Sequence, residues 1–214
     1  MVLHINDFET MEKRRRTALM NSLSGFKSVN LVSSISADGV SNLSIVSSVI
    51  HIGANPALMG FIMRPISVTR DTYNNIMETG TYTFNHIRPE FYKQAHQVAA
   101  RYPSEVSEFE AVGLTPTFSE SGLIKAPYVQ ESSIQIGLIF KEKYDIAING
   151  TILMIGAVTE LIFPDDCWME DGYLDLEKAG TVTCSSLDSY HTTERLSRLS
   201  YAKPDRALRE IPMD

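Results

Sequence analysis

Arg64, Arg70 and Thr72 bring two guanidinium groups and a hydroxyl to a point where the sequence turns helical. A helix beginning near Asp71 or Thr72 presents unpaired backbone N–H groups and the positive end of its dipole, and the neighbouring arginines add full charge. The combination is a seat for a phosphate-sized anion. Asp71 works against it, because it is a natural N-cap and repels an anion unless an arginine offsets it. The same residues therefore also describe a capped surface helix with two solvated arginines. Upstream, Asn42-Leu43-Ser44-Ile45-Val46-Ser47-Ser48 sets hydroxyl and amide groups on a β-segment, where they serve either a ligand or one another.

Other chemistries find little support in the chain. No nucleophile is paired with a base, and no Gly-x-Gly-x-x-Gly phosphate loop occurs. Cys167 and Cys184 stand alone, without the paired spacing of a zinc framework, and read as incidental thiols. His86 and His96 lack a carboxylate at ligand spacing. Asp165, Asp166, Glu170 and Asp171 are not at calcium-loop positions and read as an exposed acidic loop. Lys13 to Arg16 are consecutive, so on a helix they wrap around it and cannot face one nucleic-acid groove. The net charge of -7 gives a nucleic-acid partner no general support. No apolar run reaches a membrane span and the N-terminus lacks a basic start before an apolar core, so the expected location is cytoplasmic.

The elements that must carry these residues follow from periodicity and turn signals. At 214 residues with no repeat or linker, the chain reads as a single domain over 1–214, with an N-terminal helix and a C-terminal tail. Asp7 starts a helix to about Ser24, stopped by Gly25. Val29 to Ile35 is a strand with neither face cleanly apolar, and Asp38-Gly39 turns it into a strand from Asn42 to Ile52. Phe61 to Met63 is a short strand, and Gly80 ends the helix that carries Tyr73, Ile76 and Met77. Thr81 to Asn85 is a strand. A helix starting at Arg88-Pro89 buries Phe91, Ala95, Val98 and Tyr102, and Pro103-Ser104 restarts a short helix ending at Gly113. Ser133 to Phe140 and Tyr144 to Ile148 are strands, Asn149-Gly150 is a hairpin turn into Thr151 to Phe163, and Thr181 to Ser186 is the last strand. The fold class is mainly β with inserted helices, an antiparallel barrel or sandwich.

Three segments carry a resemblance. They are Asn42 to Ser47, then Asn55-Pro56-Ala57-Leu58-Met59-Gly60-Phe61, then Arg70-Asp71-Thr72 through Asn75-Ile76 to Thr79-Gly80. In this order and spacing they resemble the flavin reductase-like family with its FMN-binding split barrel. The similarity continues through Ser121 to Val129, Glu131-Ser132, Gly180 to Tyr190 and Arg198 to Pro204, so it covers roughly residues 25 to 204.

The resemblance implies a Greek-key split β-barrel whose chemistry belongs to a bound flavin. It places Asn42, Leu43 and Ser44 along the isoalloxazine edge, with backbone groups bonding the ring carbonyls and N5. Ser47 and Ser48 then face the ribityl chain and phosphate, while Arg70, Thr72 and Arg64 hold the phosphate. Tyr190, with His191, is the ring residue nearest the flavin, or alternatively a packing residue. NAD(P)H is the implied hydride donor to FMN N5, and an oxygenase or electron-transfer protein the implied acceptor. A homodimer is implied as well. Two other functions fit such a chain: a flavoredoxin-like electron carrier with tightly bound FMN, and a non-enzymatic ligand-binding member. The chain departs from many reductases of this family in having Asn149-Gly150-Thr151, and no histidine, at the start of the Thr151 strand.

Overall fold

The computed structural model describes residues 1–213. In chain order the elements are α1 (Ile5–Thr10), α2 (Lys13–Ser22), β1 (Lys27–Ser28), β2 (Asn30–Ile35), β3 (Ser41–Val46), β4 (Ile50–Ala54), β5 (Ala57–Met63), α3 (Asp71–Thr79), β6 (Thr81–His86), α4 (Tyr92–Gln97), α5 (Glu108–Val112), β7 (Pro116–Thr117), β8 (Tyr128–Val129), β9 (Gln135–Ile146), β10 (Thr151–Ile162), β11 (Thr183–Ser185) and β12 (Ser189–His191).

A seven-stranded antiparallel sheet in the order β3-β2-β6-β9-β10-β5-β4 dominates the chain. Its two edge strands, β3 and β4, are consecutive in sequence and joined only by Ser47-Ser48-Val49. So short a link forces the sheet to curl until its ends meet, which makes a barrel. The Ser48 hydroxyl closes the seam on β5, donating to Ile62 O at 3.3 Å and accepting from Ile62 N at 3.1 Å.

Two cores flank the sheet. Inside the barrel, Val32, Phe61, Tyr82, Phe84, Ile136, Leu138, Ile152 and Met154 pack together, with the Phe61, Tyr82 and Phe84 rings meeting edge-on or tilted. Outside it, Val29, Leu31 and Leu43 are covered by Ile87, Phe91, Ala95, Val98 and Phe109 from the inserted helical region. Strand β2 is thus buried on both faces, which is why its sequence shows no clean alternation.

Several expected boundaries are corrected. The N-terminal helix breaks into α1 and α2, because extended Met11 interrupts it and Glu12 caps a new start by accepting from Arg14 N and Arg15 N. The strand expected from Asn42 to Ile52 is split into β3 and β4 by the seam at Ser48. The helix expected at Arg88-Pro89 begins at Tyr92, and the one expected from Pro103 begins at Glu108. The strands expected before and after Lys141 are one, β9, since each continues to pair with β10. The last strand is shorter than expected and turns back through Ser186, φ 54°, to pair with β12. Arg70, not Asp71, is the N-cap of α3, while Gly80 ends that helix in the left-handed conformation as expected, at φ 73°.

Candidate functional site

A cleft of about 1040 Å³ runs along the free edge of β3. Its floor is the stretch Asn42 to Ser48, and one end is closed by Arg64, Arg70 and the first turn of α3. Further walls come from the segment after α4, including Arg101 and Ser104, and from Cys184 to Tyr190 of the β11–β12 hairpin. Every residue expected at the site, Asn42, Leu43, Ser44, Ser47, Ser48, Arg64, Arg70, Thr72 and Tyr190, lines this one cleft.

Arg64, Arg70 and the first turn of α3 stand together at one end of the cleft. Arg70 in extended conformation precedes α3, so the first-turn N–H groups have no partner within the helix. Arg70 Nε donates to Pro65 O at 3.4 Å, which steadies the guanidinium. Among the described residues neither Arg64 nor Arg70 is ion-paired. Asp71 is turned to the inserted segment, where its Oδ1 accepts from Ser104 Oγ at 3.2 Å.

Beneath the cleft lies a polar network. Asn42 Oδ1 accepts from Thr72 Oγ1 at 2.8 Å and from Ser34 Oγ at 3.2 Å, and Asn75 Nδ2 donates to Ser34 Oγ at 3.2 Å. Asn42 Nδ2 donates to Glu108 Oε2 at 2.9 Å, and the same oxygen accepts from Leu43 N at 3.0 Å. Glu108 is a buried carboxylate, and burial pushes its pKa up; the bonds from Leu43 and Asn42 offset part of that, and the charge of Asp71 adds to it.

This network changes what individual residues offer a ligand. The Thr72 hydroxyl is committed to Asn42 and Ser44, so Thr72 turns its backbone, not its side chain, toward the cleft end. The Ser48 hydroxyl is committed to the barrel seam. The Leu43 N–H points away from β2 but is taken by Glu108. In an antiparallel edge strand alternate residues face outward, which leaves Leu43 C=O and the Ile45 N–H and C=O as the free backbone groups of the floor. His191 is not at the cleft; its Nε2 lies 2.9 Å from Ser185 Oγ and its ring meets Phe26 edge-on. Tyr190 does line the cleft, with its hydroxyl 3.0 Å from His96 Nδ1 and its ring 5.5 Å from that of Tyr92. Burial, with smaller effects from Cys184 and Asp188, pushes the Tyr190 hydroxyl up to about 12, so it stays protonated at neutral pH.

Sequence reasoning missed His96, Arg101, Glu108 and Cys184 as cleft residues. All four come from segments distant in sequence from β3, and only the fold of the inserted region and the last hairpin brings them in. Cys184 is a buried thiol whose pKa burial raises, so it is a packing thiol of the cleft wall.

An antiparallel barrel sealed at one serine, with a cleft along its open edge and an arginine-flanked helix end, is the split-barrel class of flavin proteins. The Flavin reductase like domain matches residues 26–176, and the chain belongs to that family. It is similar to a candidate flavin reductase with a split barrel domain from Shewanella frigidimarina NCIMB 400, at 46% identity and TM-score 0.90 over 94% of this chain and 100% of that one. It shares its fold with nitrilotriacetate monooxygenase component B from Bacillus cereus, at 21% identity and TM-score 0.78 over 91% of this chain and 96% of the other. The flavoredoxin of Desulfovibrio vulgaris (Miyazaki F) has the fold as well, at 21% identity and TM-score 0.69 over 86% of this chain and 93% of its own. Family membership implies a flavin as cofactor or substrate and points to an oxidoreductase. Among the described residues no helix is long and apolar enough to cross a membrane.

Proposed function

We propose that the protein is an FMN-binding oxidoreductase of the flavin reductase type, using NAD(P)H as donor. The observation that carries this reading is the convergence on one cleft of the α3 N-terminus, Arg64 and Arg70 at one end with the unpaired backbone edge of β3 along the floor. Those residues fit the group. The arginines and first-turn N–H groups supply charge and donors for a phosphate. Ile45 offers the floor a free N–H and C=O for a flat heteroaromatic edge, and Tyr190 and His96 give the far wall aromatic surface.

When bound, the flavin would supply the redox chemistry, taking a hydride from a reduced nicotinamide and yielding electrons to an acceptor. The chain's own part is binding, orientation and exclusion of water. The acceptor we favour is an oxygenase, in line with a fold neighbour that is itself a monooxygenase component. The protein acts as a homodimer in the cytoplasm, with neither nucleic acid nor membrane as partner. The net charge of -7 equally suits an electron-carrier role with a basic protein partner, as in the flavoredoxin reading.

The test is the visible spectrum of purified protein before and after FMN addition and removal of excess, followed by NADH and NADPH oxidation assays. Retained visible absorption of an oxidised flavin, together with nicotinamide oxidation, supports the reductase. Retained bands without oxidation favour the electron carrier. A protein that is colourless after reconstitution and does not speed NADH or NADPH oxidation with free FMN present removes the reductase assignment and favours a non-enzymatic member.

A further inference from the structure

The inserted region between β6 and β7 supplies a buried carboxylate to a strand edge 65 positions away. A carboxyl group on a residue only 8% exposed needs a reason to be there, because its desolvation is unfavourable unless donors surround it. Glu108 Oε2 collects two donors, the backbone N–H of Leu43 and the amide of Asn42. Asn42 in turn spends its own oxygen on Thr72, in the first turn of α3. One chain of contacts, Glu108 to Asn42 to Thr72, therefore joins the inserted wall, the strand floor and the anion-binding helix end. Ser104, four positions before Glu108, repeats the connection by donating to Asp71 at 3.2 Å.

We propose that Glu108 is a positioning residue for the bound flavin, locking the β3 floor and the α3 N-terminus into one relative geometry so that the ring and the phosphate are held together. This rests on the flavin reading of the cleft. The inserted segment is, on this view, a fixed wall pinned at Leu43 and at Asp71. A flavin nucleotide contacts both floor and helix end, so its affinity depends on their spacing; riboflavin lacks the phosphate and contacts only the floor. Glutamine at position 108 keeps an oxygen that can accept from both donors, whereas alanine removes the acceptor.

The experiment is titration of FMN and of riboflavin into apoprotein of the wild type, Glu108→Ala and Glu108→Gln, followed by flavin fluorescence. The expected result is an FMN affinity lowered about tenfold or more in Glu108→Ala, a riboflavin affinity changed by less than about threefold, and both restored to within about threefold of wild type in Glu108→Gln. Unchanged FMN binding in Glu108→Ala overturns the proposal, and so does an equal loss for both ligands, which marks general loosening. Failure of glutamine to restore binding overturns it too. A wild type that binds neither flavin removes the flavin reading itself, and the positioning role with it, an outcome distinct from a wild type that binds and a variant that matches it. If Glu108→Ala does not fold, Glu108→Asp takes its place with the same two ligands, since the shorter side chain withdraws the carboxylate while keeping its charge.

Discussion

Thr72 Oγ1 lies 2.8 Å from Asn42 Oδ1 and 3.1 Å from Ser44 Oγ, so the first turn of α3 is stitched to β3 by a buried hydroxyl. Arg70, the N-cap two residues before Thr72, bonds Pro65 O and lines the cleft. The two residues should therefore separate experimentally. Thr72→Val is expected to lower unfolding stability by about 1–3 kcal/mol, the cost of leaving buried partners unsatisfied, as read from urea denaturation. Arg70→Ala is expected to stay within about 0.5 kcal/mol of wild-type stability and to weaken FMN binding roughly tenfold, with riboflavin binding little changed.

In the barrel interior the Tyr82 hydroxyl has no hydrogen-bond partner and abuts Gly156 of β10. Burial also raises the Tyr82 pKa, so the hydroxyl remains protonated. Tyr82→Phe removes a polar group that gains nothing from the fold, and its thermal midpoint is expected to equal or exceed that of wild type. Gly156→Ala is expected to destabilise by about 2 kcal/mol or more, because the added Cβ would lie 2.5 Å from that hydroxyl and 3.1 Å from Leu138 Cβ. Combining Tyr82→Phe with Gly156→Ala should recover part of the loss, and strict additivity of the two would argue against contact as the cause.

His86 holds the end of β6 through a 3.0 Å contact from Nδ1 to Thr181 Oγ1, and burial pushes its pKa down to about 4. A base whose folded pKa lies below its unfolded value near 6.5 takes up its proton more readily when the chain is unfolded. Stability from this group is complete above pH ~6.5 and is lost as pH falls toward ~4. The expected loss is about 1–3 kcal/mol, toward the lower figure because the ring keeps some contact with solvent. Urea denaturation at pH 7 and pH 4.5 should show it in the wild type, and His86→Gln should show a smaller difference between the two.

The C-terminal tail is tied to the acidic loop after β10. Arg195 reaches Asp175 at 2.5 Å and Glu177 at 3.8 Å, Arg198 pairs with Asp171, and the Arg198 guanidinium lies 4.1 Å from the centre of the Tyr173 ring. Burial pushes the Asp175 carboxyl up, but Arg195 and the backbone N–H groups of Lys178 and Glu177 outweigh it and hold its pKa below the ordinary value. Arg195→Ala is expected to lower stability by about 1–3 kcal/mol, because Asp175 is left buried without its cation. It should also speed limited tryptic cleavage at Arg198 without altering flavin affinity. Unchanged cleavage would show that the tail is held by something other than these pairs.

Much of this protein was legible in the chain alone. The hairpins at Asp38-Gly39 and Asn149-Gly150, the Gly80 stop of α3 and the mainly β class rest on local backbone preferences, which operate between neighbours in sequence. The ordered motifs Asn42 to Ser47, Asn55 to Phe61 and Arg70 to Gly80 pointed to the family. The fold brings Asn42 to Ser47 and Arg70 to Thr72 to one cleft, whereas Asn55 to Phe61 lie in the β4–β5 turn and in β5, away from it. The tertiary structure decided what those residues are free to do. Thr72, Ser48 and the Leu43 N–H look available in sequence, yet each is committed to a partner many positions away. Glu108, His96 and Arg101 carry no signal next to the β3 motif, because hydrogen bonding and burial depend on distances through space that the inserted helices set. Residue type and spacing establish which groups exist. Which of them remain unpaired at the cleft is settled by the polar network, because most buried donors and acceptors are paired with whatever partner the fold brings near.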